Sequence, residues 1–299
     1  MKKTLLLALS VLFIFKLEAQ NLKPYILAGY STQSISEVKK EVKQKLKTEG
    51  FKISGSYNPL SSNKKIVIAV SDNNLISAVK KTGGFRGFAL ALRVALTEEN
   101  GKIMISYTNP EYWGRAYFQK QWKQIASLYS NVDSKFKNAL SGYMGENFVP
   151  FGSKDGLSAG SLKKYHYMFG MPYFEDNVKL KEFSDYGTAI ATIEKNLNSK
   201  SIPAKKVYSV FLNDKKIALY GIGLTGKDGE KLFMPKIDVS SPKHTAFLPY
   251  ELLIVDNKAY MLHGRFRIAL SFPDLSMGQF MKIVSTPGYI EDTFKALCK

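Results

Sequence analysis

The stretch AFLPYELLIVDNKAYMLHG, residues 246–264, decides the fold. An alternating run rich in Leu, Ile, Val and Tyr meets the polar turn Asp256-Asn257-Lys258, and a second alternating run follows. This is the pattern of an antiparallel hairpin. Its echo, ALALRVALTEENGKIMISY, occupies residues 89–107 and turns at Glu98-Glu99-Asn100-Gly101. Two such hairpins imply two copies of one unit.

Working outward from the first copy, residues 24–31 read as a strand. Ser34 opens a helix with Glu37 as its capping-box partner. Ile35, Val38, Val42 and Leu46 recur on its inner face until Gly50 stops it. Strands are expected over 51–57 and 65–71, a short helix over 74–81, and, after the hairpin, a longer helix over 117–140. The second copy repeats the order: a strand over 178–183, a helix over 186–197 capped by Asp185, and strands over 206–212 and 216–224. A closing helix follows over 277–297, with a break at Pro287-Gly288. The most literal echo sets NKKIVI at 63–68 against DKKIAL at 214–219. The expected fold class is α+β: two tandem two-layer units, each strand, helix, four strands, helix, with a mainly antiparallel curved sheet. The boundaries are 1–19, 20–140, a linker 141–176, and 177–299.

Because side chains alternate along a strand, each hairpin can be read by face. Leu90, Leu92, Val94 and Leu96 share the side suited to helices, leaving Ala89, Ala91, Arg93 and Ala95 opposite. In the second copy Leu248, Tyr250, Leu252 and Ile254 share one side and Phe247, Pro249, Glu251, Leu253 and Val255 the other. That other face is small in one unit and oily in the next, so it is where the two sheets or a ligand would meet. A pseudo-twofold relation would place Arg93 and Glu251 equivalently, which does not by itself require contact.

The succession of a helix, a Lys-rich two-stranded hairpin and FLPYELLIVDNKAYML resembles the domain of unknown function 302 family. The likeness covers most of 177–298 and more weakly 24–140, where Ala91 stands in place of Pro249. The resemblance implies a TATA-binding-protein-like half-repeat, a curved antiparallel sheet with helices on its convex side. It implies no activity and no catalytic residue.

Residues 1–19 have the form of an export signal, with Lys2-Lys3 at the front, an apolar core and Leu17-Glu18-Ala19 as the exit. A soluble periplasmic or secreted protein is therefore expected. The formal charge is +18, carried by lysine pairs rather than one long basic run. Such a balance suits an acidic ligand or anionic envelope lipid, and equally describes a solvated lysine-rich surface. Promoter DNA is not an expected partner of an exported chain. The sole cysteine, Cys298, excludes an intramolecular disulfide and a cysteine metal cage, and reads as a small hydrophobe on the last helix.

The linker is rich in Tyr, Phe and Met. Ser158 is expected to cap a helix running to Gly170, with Leu162, Tyr165, His166 and Phe169 on one face and His166 turned inward among aromatics. His166 then reads as a ligand hook or a buried structural histidine. His263 is followed by Arg265 and Arg267 at alternate positions, expected on one strand face where they could grip an anion. Together Tyr165, His166, His263, Arg265 and Arg267 form the expected ligand-binding set, around an unidentified small or anionic ligand. The three histidines, with His244, lack metal-ligand spacing. Gly221-Ile222-Gly223 with Gly226 matches a dinucleotide fingerprint only formally, since it follows a hairpin. No cofactor and no metal are expected. The leading function is a non-catalytic binding module. The alternatives are an enzyme using a histidine as acid or base in a cleft between the repeats, and a basic surface-interaction protein.

Overall fold

The computed structural model describes residues 21–145 and 147–299; the export signal expected over 1–19 lies outside the described residues. In chain order the strands are β1 (Tyr25–Ser31), β2 (Lys52–Tyr57), β3 (Lys65–Ser71), β4 (Leu92–Glu99), β5 (Lys102–Thr108), β6 (Val149–Phe151), β7 (Val178–Glu182), β8 (Ala204–Leu212), β9 (Ile217–Leu224), β10 (Tyr250–Val255) and β11 (Lys258–Met261). The helices are α1 (Ile35–Thr48), α2 (Asn73–Thr82), α3 (Pro110–Phe118), α4 (Trp122–Ala139), α5 (Ala159–Leu162), α6 (Tyr186–Ser199), α7 (Glu230–Ile237), α8 (Gly264–Ser271), α9 (Met277–Met281) and α10 (Thr286–Leu297).

Local chemistry explains most of these boundaries. Ser34 and Glu37 form the expected capping box at the head of α1, and Asp185 caps α6 through the Thr188 amide. Asn100 and Gly101 both adopt positive φ, 51° and 73°, as a two-residue turn between antiparallel strands demands. Cys298 is buried just past α10, and burial pushes its thiol up to about 12.

All the described strands join one antiparallel sheet in the order β6-β1-β5-β4-β3-β2-β8-β9-β10-β11-β7. From the middle outward, β2, β3, β4, β5, β1 on one side are matched by β8, β9, β10, β11, β7 on the other. The two halves join edge to edge at β2 and β8 through the pair Gly55 and Tyr208. Thus the two units share a continuous sheet, and β6, supplied by the linker, extends one end of it.

On one side α1 and α4 cover the first half and α6 and α10 the second. The inner faces approach each other, and the short helical turns preceding β4 and β10 are exchanged between halves. The turn Gly84–Ala89 packs on β9 and β10, while Thr245–Phe247 packs on β3, β4 and β5. Thr97 Oγ donates to Thr245 Oγ at 2.8 Å across this interior. Strands β3, β4, β9 and β10 are consequently buried on both faces, as the small face of β4 and the oily face of β10 led us to expect.

Three expectations are corrected, and a fourth is borne out with a difference of face. The helix expected over 117–140 is two helices, α3 and α4, broken at Gln119, whose φ is 48°. The closing helix breaks before Pro287 rather than at it, because proline takes a first-turn position in α10. Residues following His263 form helix α8, not a strand. Finally, the KKI echo aligns equivalent strands but opposite faces. Ile66 pairs with Leu96 on the helix-facing side, whereas Ile217 pairs with Val255 and meets the inner turn near Gly87. A one-residue slip of register is enough to exchange the faces.

Candidate functional site

Three charged side chains meet in the interior. Arg93 on β4 forms an ion pair with Glu251 on β10, and Arg267 on α8 approaches the same carboxylate at 3.4 Å. All three are at most 3% exposed. Tyr208 donates to Glu251 Oε1 at 2.8 Å. To do so its ring crosses the intervening strand at Gly221, which pairs with Tyr208 on one side and Glu251 on the other. A Cβ at Gly221 would collide with that ring, which accounts for a glycine of the GIGLTG run without any nucleotide. Arg267 also donates to the carbonyls of Phe247 (2.9 Å) and Pro249 (3.4 Å) and to Ser271 Oγ (3.1 Å), and lies over the Trp113 and Phe247 rings. The cluster is a buried latch between the halves, in which Arg93 Nε, Arg267 Nε and Glu251 Oε2 have no hydrogen-bond partner.

A second buried acid sits at the joint of the halves. Glu230, at the head of α7, accepts from Tyr57 Oη (2.9 Å), the Leu60 amide (3.2 Å) and the Leu224 amide (3.2 Å). Burial raises its pKa to about 7, against the pull of those hydrogen bonds.

The cleft with the character of a binding site lies elsewhere, with a volume of about 350 Å³. One wall is Lys23 and the segment 150–154 leaving β6; the other is the loop 237–244 after α7, and residues 272–279 close the end. The first wall is fixed by pairing of β6 with β1 and by Asp274, which accepts from Ser153 Oγ (2.7 Å) and the Lys154 amide (2.6 Å). The second is tied to the first unit's hairpin: Ser241 Oγ and the Lys243 amide donate to Glu99 at 2.7 and 2.8 Å. Lys65 approaches the buried Asp238 at 3.6 Å.

His244 sits in this wall. Its amide donates to Asp238 Oδ1 at 2.8 Å, and its ring stacks on Phe272 (4.6 Å, 26°) with Tyr25 and Phe151 beside it. The side chain is 6% exposed and its Nδ1 has no hydrogen-bond partner. Burial lowers its pKa below the ordinary histidine value, outweighing Asp238 and the Ser271 carbonyl. The cleft thus combines an apolar floor of Phe151, Ile237, Phe272 and Leu275, a neutral imidazole, and the cations Lys23 and Lys154. Half-apolar concavities with a few polar groups are the usual form of small-molecule sites.

The expected ligand-binding set is dispersed by comparison. Only one turn of helix, α5, follows Ser158, whose hydroxyl accepts from the Ser161 amide. The expected common face of Tyr165, His166 and Phe169 therefore does not form. Tyr165 is buried against Phe266. His166 is half-buried rather than enclosed, its ring tilted against Tyr173 at 4.5 Å with Nδ1 2.8 Å from the Met168 carbonyl. Both border a shallow depression with residues 157–167. His263 caps α8, its Nδ1 accepting from the Arg265 amide. Helical geometry then sends Arg265 outward and Arg267 into the latch. The linker does dock at the junction, since Phe174 packs on Tyr117 of the first unit and Phe266 of the second.

The sequence marks His244 only as a histidine without metal-ligand spacing. Its polar, Pro-containing surroundings, SSPKHT, mark a loop but give no sign that residues near 151 and 272 complete a cleft around it. Among the described residues no group of three His, Cys, Asp or Glu side chains is placed to hold a metal ion, and no helix is long and apolar enough to cross a membrane. No family model matches the chain, and no curated protein matches it in sequence.

Proposed function

We propose that the chain is an exported, non-catalytic binding module of the domain of unknown function 302 type, holding a small anionic ligand in the cleft beside His244. Export rests on the character of residues 1–19, and the family type on the strand, helix, four-strand, helix order of each unit. The observation that carries the binding reading is the cleft's construction from both units around an apolar floor, with Lys23 and Lys154 among its lining side chains. Asp274, the carboxylate in the lining, is held to its own wall by the Ser153 hydroxyl and the Lys154 backbone amide, so an incoming acid meets two ammonium groups against one carboxylate. An anion with an apolar body, such as an aromatic or branched carboxylate, satisfies both halves of the cleft.

Native mass spectrometry of protein isolated from the cell envelope tests this, together with thermal shifts against a panel of small carboxylates and phosphates. A bound acidic mass is expected, with retention falling about tenfold or more in a Lys23→Glu, Lys154→Glu double variant. Retention unchanged in that variant, or no bound mass and no stabilising acid, overturns the reading.

The unpartnered Nδ1 of His244 favours one second reading, an enzyme using this histidine as acid or base. A His244→Gln variant that keeps the ligand but no longer converts it would select catalysis. Loss or retention of binding alone selects the module.

A further inference from the structure

We propose that the linker loop around Phe169, together with Arg265 and α9, docks on an anionic phospholipid surface, independently of the cleft. Phe169 is 99% exposed, and Met168 and Tyr173 flank it at 41% and 45%. A large aromatic fully in water is unusual for a side chain so cheaply buried. Here it is held out by construction. The Met171 amide donates to the Met168 carbonyl at 3.0 Å, closing a turn whose third position is Gly170 with φ 78°. That is the geometry of a type II turn, and it sets Phe169 at the corner.

The base beneath the tip is braced. Tyr167 Oη donates to the Leu275 carbonyl at 3.0 Å, the His166 ring leans on Tyr173, and Phe174 is buried. Beside the loop, Tyr167, Met171, Ala269, Leu275, Met277 and Phe280 line a small apolar depression whose only charged member is Arg265. Met277 and Met281, at 42% and 56% exposure, continue the apolar surface along α9.

Charge chooses the occupant. Lys163, Lys164 and Arg265 are exposed, and among the described residues none of them takes part in an ion pair. Of the nearby acids, Glu175 pairs with Arg86 at 2.7 Å, while Asp176, which accepts the Tyr173 amide at 2.8 Å, leaves one negative charge against three cations. The whole chain adds a formal charge of +18. An apolar tip on a basic protein, with Arg265 beside Met171 and Lys164 beside His166 and Tyr167 at its base, matches the boundary between anionic headgroups and acyl chains, where aromatic and methionine side chains enter and ammonium and guanidinium groups stay with the phosphates. Each such cation is worth roughly fivefold in partition at a negatively charged surface.

A Phe169→Trp variant reports directly, because Trp113 and Trp122 are only 2% and 9% exposed. Vesicles of phosphatidylglycerol should shift its emission to the blue and carry the protein down on sedimentation, less so as salt is raised. Vesicles of phosphatidylcholine should do neither. Phe169→Glu should lower the bound fraction about tenfold or more at an unchanged melting temperature, and Lys163→Glu with Lys164→Glu should remove the salt dependence. The proposal is overturned by equal binding to both lipids, by no binding to phosphatidylglycerol, or by Phe169→Glu binding as well as the parent. It is likewise overturned if Phe169→Glu instead converts a dimer to a monomer without vesicles, which would assign the tip to a second copy of the chain.

Discussion

Arg93 and Glu251, 158 residues apart in sequence, lie on the middle strands of the two half-sheets and pair in an interior closed to water. The pair and Arg267 carry two positive charges against one negative, so the carboxylate is needed to keep both guanidinium groups buried. Glu251→Gln should therefore cost about 3–5 kcal/mol in urea unfolding. Arg93→Met combined with Glu251→Leu should cost less than the two single changes added together, since Arg93 is then not stranded and only Arg267 loses its counter-charge.

Gly221 leaves the space through which Tyr208 reaches Glu251. Gly221→Ala should destabilise by about 1–3 kcal/mol, the usual range for overpacking. In a Tyr208→Ala background the same change should be nearly free. Equal costs in the two backgrounds, measured by denaturant midpoints, would separate the glycine from the ring.

Glu230 gives the protein a pH dependence of stability with a definite sign. Its pKa rises from an ordinary 4.5 to about 7 on folding, so the folded state holds the proton more tightly. The stabilisation is complete below the lower value and is lost as pH rises toward the higher one, by roughly 3 kcal/mol. His244 and His263, both depressed by burial, act oppositely, losing stability as pH falls below the ordinary histidine value. Comparing Glu230→Gln with the parent at pH 5 and pH 8 isolates the carboxyl, because the histidines are common to both. The variant should lose less stability than the parent on going to pH 8.

The linker contains one anchor and one accessory. Phe174→Ala removes a ring packed on both units and should cost about 3–5 kcal/mol. His166→Ala gives up one ring contact and one hydrogen bond at a half-exposed position and should stay within about 1 kcal/mol. Thermal melts of the two variants check the ranking. A larger loss at His166 would mean that the histidine, not Phe174, fastens the segment.

Much of the fold was legible because its signals are local. The Ser34 and Glu37 capping box, the Asp185 cap, the Asn100-Gly101 turn and the alternation of both hairpins all appear as read. Where the reading failed, a longer-range term decided. The alternation of His263, Arg265 and Arg267 imitates a strand, yet His263 caps a helix whose inner side chain completes an ion cluster built from distant strands. The KKI echo is a true likeness of strands, but alternation says nothing about which face the opposing half will cover. The cleft was least legible of all, since its walls come from residues near 23, 152, 240 and 275, and no spacing within one segment encodes their meeting.

The joint between the half-sheets is a single backbone pair, Gly55 with Tyr208, while the interior is assembled from both. Neither half owns a finished core: each lends its short helical turn to the other, and each holds one member of the Arg93 and Glu251 pair. Unfolding either would strand a charge and bare the inner face of its neighbour. The two-unit chain should therefore melt in one calorimetric transition, with van't Hoff and calorimetric enthalpies in agreement. Two units by topology are, in thermodynamic terms, one cooperative body.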